Sequence, residues 1–215
     1  MNMQIVHQLL TPEQQASLRA RLEQGPWIDG RTTAGVQAAR HKHNRQLEPG
    51  CPLHGELADL IKQALLASDT FKQLTLPRRL SALTFSRYDE GMEYGPHTDD
   101  AYRAGELLRT DIAVTLFLSD PDSYDGGELT VGNSAVKPAA GDAVVYPAST
   151  IHRVAKVTRG TRLAAVFWVQ SLVRDPGQRD ILFTLHDLVT RLGNPVLALT
   201  LARIQQNLLR MWLEP

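Results

Sequence analysis

Between residues 80 and 171 the chain is cut into pieces too short for helices to bury a face. The segments "LSALTFSRY", "DIAVTLFLS", "GELTVG", "AVKP", "DAVVYP", "HRVAKV" and "TRLAAVFWVQS" are rich in Val, Thr, Leu and aromatics, and Gly, Asp and Pro separate them. Such side chains fit a pleated, half-buried surface, and the breakers between them supply turns. Seven or eight short strands at this spacing predict an all-β sandwich or barrel.

Both flanks read differently. In "TPEQQASLRARLEQG" Thr11 can cap a helix, Pro12 suits its first position, and Gln14 completes a capping box. Leu18 and Leu22 recur at i, i+4, and Gly25-Pro26 ends the pattern. "GVQAARHKHNRQLEPGCP" is polar and basic, and "HGELADLIKQALLAS" predicts a second helix. After Asp175-Pro176 the 3.6-residue period returns, with Ile181, Leu185, Leu188 and Leu192 on one face. Leu197, Leu201, Ile204 and Leu208 repeat it in a following helix. The expectation is an α+β chain in three parts. An N-terminal helical and loop region (1–79) packs on a β core (80–172), and a C-terminal helical hairpin (173–215) follows.

Charge and composition narrow the function classes. Lys plus Arg and Asp plus Glu each total 23, so no net field points to nucleic acid or an anionic membrane. "MNMQIVHQLL" lacks the basic start and apolar run of a signal peptide, and no stretch approaches the roughly 18 apolar residues of a membrane span. The single cysteine, Cys51, excludes an internal disulfide and a cysteine-rich zinc site. A cytoplasmic protein is expected.

The chemistry gathers at "EYGPHTDDAY". In an extended strand His97 and Asp99 project to one face and Asp100 to the other, a geometry that suits two ligands on one metal. The triplet alone is weak, because the chain has seven histidines. His152, in "YPASTIHRVAKV", is the candidate third ligand. Two imidazoles and a carboxylate form the facial triad of non-haem Fe(II) oxygenases, which leaves coordination positions open. The set argues for iron without excluding zinc. Arg162, ten residues on, shares a strand face with Ala164, Val166 and Trp168. If that face is interior, its guanidinium needs an anion to offset burial, and a carboxylate bound bidentate would serve.

"RYDEGMEYGPHTDD", "DGGELTV", "GDAVVYPASTIHRV" and "GTRLAAVFWVQS" together resemble the Fe(II)/2-oxoglutarate dioxygenases of the prolyl-hydroxylase superfamily. The bacterial PKHD-type hydroxylases, often linked to iron uptake, are the most similar. "AARHKHNRQL" and "RDILFTLHDL" extend the resemblance beyond the core. It implies a double-stranded β-helix, or jelly roll. It also implies Fe(II) on His97, Asp99 and His152, and Arg162 on the distal carboxylate of 2-oxoglutarate, with Tyr88 and Tyr94 beside the co-substrate. The reaction implied consumes O2, decarboxylates 2-oxoglutarate to succinate and CO2, and hydroxylates a C–H bond, with ascorbate rescuing oxidised iron. One departure stands out. Where many relatives carry a tyrosine in the strand after the H-x-D loop, "AVTLFLS" offers Thr115 and Phe117, so the hydroxyl that assists Arg162 must come from elsewhere.

Other residues have plainer expected roles. Asp142 and "DGGEL" read as turns. His7, His54 and His186 read as structural or surface, and Phe167 and Trp168 as core. The stretch containing His41, Lys42, His43, Asn44 and Gln46 reads as a solvated basic loop, or else as a cover over the metal where Lys42, Asn44 or Gln46 meets a polar substrate. A small-molecule substrate is expected over a protein, and a homodimer through the C-terminal helices is an alternative to their packing on the β core. Two other functions compete with the oxygenase. A non-catalytic or iron-sensing β-helix module would predict a damaged triad, and a zinc hydrolase would leave Arg162 unexplained.

Overall fold

The computed structural model describes residues 3–33 and 41–214. Residues 35–40 of the basic stretch, including Ala38, Ala39 and Arg40 of "AARHKHNRQL", lie outside the described residues.

The core is two antiparallel sheets facing one another. In hydrogen-bonded order the larger runs β1 (Gln4–Val6), β14 (Ala143–Pro147), β10 (Ile112–Phe117), β17 (Arg162–Ser171), β6 (Thr84–Tyr88), β4 (Arg45–Leu47), β2 (Trp27–Asp29). There β5 (Pro77–Leu80) pairs with the C-terminal half of β17. The smaller sheet runs β13 (Ser134–Val136), β12 (Leu129–Val131), β15 (His152–Val154), β7 (Glu93–His97), β3 (Lys42–His43). Two ribbons complete the set: β11 (Tyr124–Gly126) with β16 (Val157–Gly160), and β8 (Tyr102–Arg103) with β9 (Leu108–Arg109). This is the jelly-roll core that the family resemblance implies, and it fits the sandwich or barrel expected from the strand spacing.

Alternation along β17 separates the two sides of the larger sheet. Leu163, Ala165, Phe167 and Val169 join an apolar cluster with Leu18 and Leu22 of α1 (Pro12–Glu23) and Leu57, Ile61 and Leu65 of α2 (Pro52–Ala67). Phe71 of α3 (Asp69–Thr75) is fully buried in the same cluster, and burying such a side chain is worth about 1.5–3 kcal/mol. Arg162, Val166 and Trp168 turn the other way, into the space between the sheets. The residues between sheets include Ala113, Phe117 and Val144 from the larger, with Leu129, Val131 and Val154 from the smaller. Phe167 is therefore core, as expected, and Trp168 packs half-buried against the apolar residues between the sheets while also lining the space there.

The Thr11–Gln14 capping box forms as read, with both reciprocal bonds present. The N-terminal third is less helical than its sequence implies. β1, β2, β3 and β4 all precede residue 80 and extend both sheets. All four are two or three residues long, and β2, β3 and β4 carry charge ("WID", "KH", "RQL"), so no hydrophobic alternation announces them. Their backbone finds partners only because sheet edges already exist beside them.

Asp142 also departs from its reading. Its carboxylate does not close its own turn; it accepts from the Gln8 backbone N–H at 2.8 Å and meets His7 Nδ1 at 2.8 Å, tethering the N-terminal segment to β14. The Gly-Gly of "DGGEL" does act as read. At Gly126 (φ +70°) an added Cβ would lie 2.0 Å from the Lys156 carbonyl oxygen, so only glycine allows β11 to approach β16.

The C-terminal hairpin, α4 (Pro176–Arg191) and α5 (Pro195–Trp212), packs on itself and, through α4, against α3. Its stripe is rotated from the one anticipated. Ile181, Leu188, Leu197 and Ile204 stay exposed, while Arg179, Leu182 and Gln205 are buried. Arg179 Nη1 donates to the Val173 and Arg174 carbonyls at 2.7 Å each, and Gln205 donates to the Leu182 carbonyl. These polar anchors, invisible to an apolar period, set the rotation. Among the described residues no helix is long and apolar enough to cross a membrane.

Candidate active site

β7 and β15 are adjacent in the smaller sheet, with His97 directly opposite His152. Their rings come within 4.2 Å, centroid to centroid. The strand ends at His97, so Asp99 lies in the following loop, where its backbone N–H bonds the Ala148 carbonyl at 3.3 Å. The three side chains nevertheless converge as the i, i+2 reading requires. One ligand atom from each of His97, Asp99 and His152 lies within 4.8 Å of the other two. Asp100 remains exposed at the cavity rim, its backbone carbonyl accepting from the Thr110 hydroxyl.

The protonation pattern suits a cation. His97 Nδ1 bonds the Gly95 carbonyl at 2.8 Å and His152 Nδ1 bonds the Thr150 carbonyl at 2.9 Å. A carbonyl can only accept, so both Nδ1 atoms carry the proton, and each Nε2 keeps a free lone pair. Burial, reinforced by His152, pushes His97 down to about 4, which holds the imidazole neutral. Asp99 Oδ2 is buried with no hydrogen-bond partner among the described residues, and burial raises its carboxyl above the usual range. A buried carboxylate oxygen without a donor, beside two imidazole lone pairs, fits a divalent metal.

The cavity around this cluster has a volume of about 1040 Å³. It takes in all six residues singled out for metal or co-substrate: His97, Asp99, His152, Arg162, Tyr88 and Tyr94. Tyr94 stacks on His97 at 3.7 Å with the rings 20° apart. Arg162 is 1% exposed, and its Nε and Nη2 find no hydrogen-bond partner among the described residues. The guanidinium lies 5.2 Å from the Tyr88 ring and 4.8 Å from the Phe117 ring. Aromatic faces offset part of the cost of burying this charge, and an anion would offset the rest. Gly127 (φ +67°) keeps it in place, because a Cβ there would sit 3.0 Å from Arg162 Cδ.

Three wall residues escaped the sequence reading. Tyr146 of "GDAVVYP" faces the cavity beside Thr115, with its ring 5.1 Å from His152. Burial raises its hydroxyl pKa far above the usual value, so it stays a neutral donor. Trp168 lines the same wall, and its indole nitrogen, buried and without a hydrogen-bond partner, faces Asp99. Its place follows from its alternation with Arg162, a signal already in the sequence. Arg103 stacks on Trp168 at 4.5 Å and pairs with Glu106 at 2.6 Å.

The basic stretch is not a solvated loop. From His41 to Gln46 burial alternates strictly: Lys42, Asn44 and Gln46 are buried, while His41, His43 and Arg45 are exposed, His41 at the cavity's rim. Lys42 and Gln46 line the cavity, and Asn44 is buried beside Tyr88.

Comparison with known proteins agrees with this geometry. Residues 83–170 match the family model of the 2OG-Fe(II) oxygenase superfamily. A PKHD-type hydroxylase of Methylobacterium nodulans is 47% identical over 97% of this chain and 98% of its own length. One of Bordetella pertussis is 44% identical over 96% of each. In fold, a Pseudomonas putida prolyl-4-hydroxylase superposes with a TM-score of 0.55 at 21% identity, covering 79% of this chain and 92% of that one. A viral collagen prolyl hydroxylase from Paramecium bursaria Chlorella virus-1, solved with 2OG, gives 0.55 at 14% identity, covering 80% and 97%. A cluster able to hold a metal, a buried arginine and near full-length similarity coincide in one chain: it belongs to the PKHD-type hydroxylases of the 2OG-Fe(II) oxygenase superfamily.

Proposed function

We propose that His97, Asp99 and His152 hold the Fe(II) of this 2-oxoglutarate-dependent hydroxylase, and that Arg162 holds the distal carboxylate of 2-oxoglutarate. One observation carries the assignment. The only ligand-competent His/Asp cluster among the described residues shares a cavity with a buried arginine that has unpaired donors. Bound iron would supply chelation of the 2-oxo acid, O2 activation and oxidation of a substrate C–H bond.

The protein's part is position and exclusion of water. The Nδ1 bonds to Gly95 and Thr150 aim the two imidazoles. The Trp168 indole N–H faces Asp99 and favours its charged form. Arg162 and the Tyr88 and Tyr94 rings orient the co-substrate, and Tyr146, beside Thr115, supplies the hydroxyl that the strand after the H-x-D loop lacks. These side chains are locked by sheet pairing, so little ordering cost attends binding.

The wall mixes polar side chains with apolar ones such as Leu129, Ile151, Val154 and Val166, which favours a small-molecule substrate. One cysteine and a neutral charge balance fit a cytoplasmic enzyme. Val196, Leu199 and Met211, each about three-quarters exposed on α5, suit pairing with a second copy, which sedimentation at rising concentration would reveal.

The test is anaerobic titration of the metal-free protein with Fe(II) and 2-oxoglutarate, following the visible metal-to-ligand charge-transfer band. A band that disappears in His97→Ala supports the assignment. Folded protein that binds Fe(II) and 2-oxoglutarate without a band would refute it.

A further inference from the structure

Lys42 is the cavity's one cation with neither an ion pair nor a place in the co-substrate pocket among the described residues. It is only 9% exposed and lines the same cavity as the metal cluster. Its register is set by β3 on β7, where Lys42 lies opposite Tyr94. Its ammonium sits 5.5 Å from the Tyr94 ring centroid, and the same ring stacks on His97. Tyr94 thus links Lys42 to the cluster of His97, Asp99 and His152.

The acidic groups nearby have other partners. Asp29 acts on Lys42 through space, raising its pKa against the larger effect of burial, but forms its two-pronged pair with Arg31; Glu93 pairs with Lys156, and Asp99 faces His152. Asp100 lines the cavity. Burying an ammonium without a counter-charge is costly, and a π face recovers only part of it. Arg103, the remaining cation of the wall, is satisfied by Glu106. One spare positive charge matches a monoanion; a phosphate dianion would need more donors than this wall offers.

We propose that Lys42 binds a carboxylate of the substrate, so that this enzyme hydroxylates a small organic acid whose carboxylate is anchored on β3. This rests on the oxygenase reading above and adds the substrate's chemical class. Lys42 stands on the smaller sheet and Arg162 on the larger, so the two carboxylates, substrate and co-substrate, are read from opposite walls of the cavity. The cation then selects for the acid and against its amide or ester, and it holds the molecule in the cavity that His97, Asp99 and His152 also line.

The test labels lysines on the Fe(II)-loaded enzyme, held anaerobic, with a trace of N-hydroxysuccinimide ester, and quantifies each lysine by peptide mass spectrometry. Burial brings the Lys42 amine down to about 8, so it reacts at mild pH. Lys62, Lys72 and Lys156, which are partly exposed, serve as internal references. Four samples are compared: no addition, 2-oxoglutarate, 2-oxoglutarate with propionate, and 2-oxoglutarate with propionamide. Expected is saturable slowing of Lys42 by propionate, about tenfold, the worth of one charge-assisted bond, with no effect of propionamide or of 2-oxoglutarate alone. Equal labelling with and without propionate overturns the inference. Protection by 2-oxoglutarate alone also overturns it, by placing Lys42 in the co-substrate pocket. The charge-transfer band is recorded on the same samples. Its absence overturns the oxygenase reading and this inference together, whereas a band without propionate protection removes the inference alone.

Discussion

Replacing Arg162 with leucine should weaken co-substrate binding while leaving the stability of the ligand-free protein nearly unchanged. Two charge-assisted hydrogen bonds to a carboxylate, at about 1.5–3 kcal/mol each, contribute about 3–6 kcal/mol. Losing them weakens 2-oxoglutarate binding by about 10²–10⁴-fold. In the ligand-free protein the same side chain is a liability. Its Nε and Nη2 are buried without partners, at a cost of about 1–3 kcal/mol, and leucine removes that cost. Against this, the variant forfeits the cation–π contacts with Tyr88 and Phe117, about 0.5–2 kcal/mol each. The terms nearly cancel, so the ligand-free variant should melt within about 5 °C of wild type. The assay pairs anaerobic charge-transfer titration with thermal unfolding of both proteins, with and without Fe(II) and 2-oxoglutarate. Wild type should gain about 2.7 kcal/mol at a hundredfold excess over its dissociation constant, and the variant should gain far less. An Arg162→Leu protein that unfolds easily yet binds 2-oxoglutarate normally would show that the guanidinium is structural and that the reasoning is wrong.

Three further outcomes are expected. Tyr146→Phe should weaken 2-oxoglutarate about tenfold by removing one hydroxyl donor, leaving the melting temperature nearly unchanged; titration of the charge-transfer band checks it, and unchanged affinity would discard Tyr146 as the partner of Arg162. Burial lowers Lys42 to about 8 from an unfolded value of 10.5, so the unfolded chain binds more protons between these pH values and stability rises with pH across that window. Relative to Lys42→Met, wild type should therefore recover up to about 3 kcal/mol between pH 8 and 10.5; urea midpoints at several pH values test this, and a constant difference would contradict it. Gly126→Ala meets the Lys156 carbonyl and a left-handed backbone at once, and should cost about 2–4 kcal/mol in urea unfolding; a loss under about 0.5 kcal/mol would mean that β11 and β16 readily separate.

The strand-rich centre, the capped first helix and the convergence of His97 with Asp99 were legible because each rests on local chemistry. Thr11 caps whichever helix follows it, and Val, Thr and aromatic runs between Gly and Asp make strands in most surroundings. His97 and Asp99 lie close in the chain, so their convergence needed only an extended backbone. Arg162, with Val166 and Trp168 on its face, was legible for the same reason, since strand alternation has a period of two. The opposite case is the stretch from His41 to Gln46. Its alternation is of polar residues, so hydrophobic periodicity is silent, and Lys42 comes to lie beside Tyr94 only when β3 adds to the edge of β7. Tyr146 likewise reaches Thr115 because β14 lies beside β10. The rotation of the last two helices depended on Arg179 capturing the carbonyls of Val173 and Arg174 just before its helix, and on Gln205 reaching that of Leu182 in the other helix. Composition and period determine which segments become strands, helices and ligands, because those preferences act over a few residues. Which polar groups share a cavity is decided by pairing across dozens of residues, where burial must be matched partner by partner.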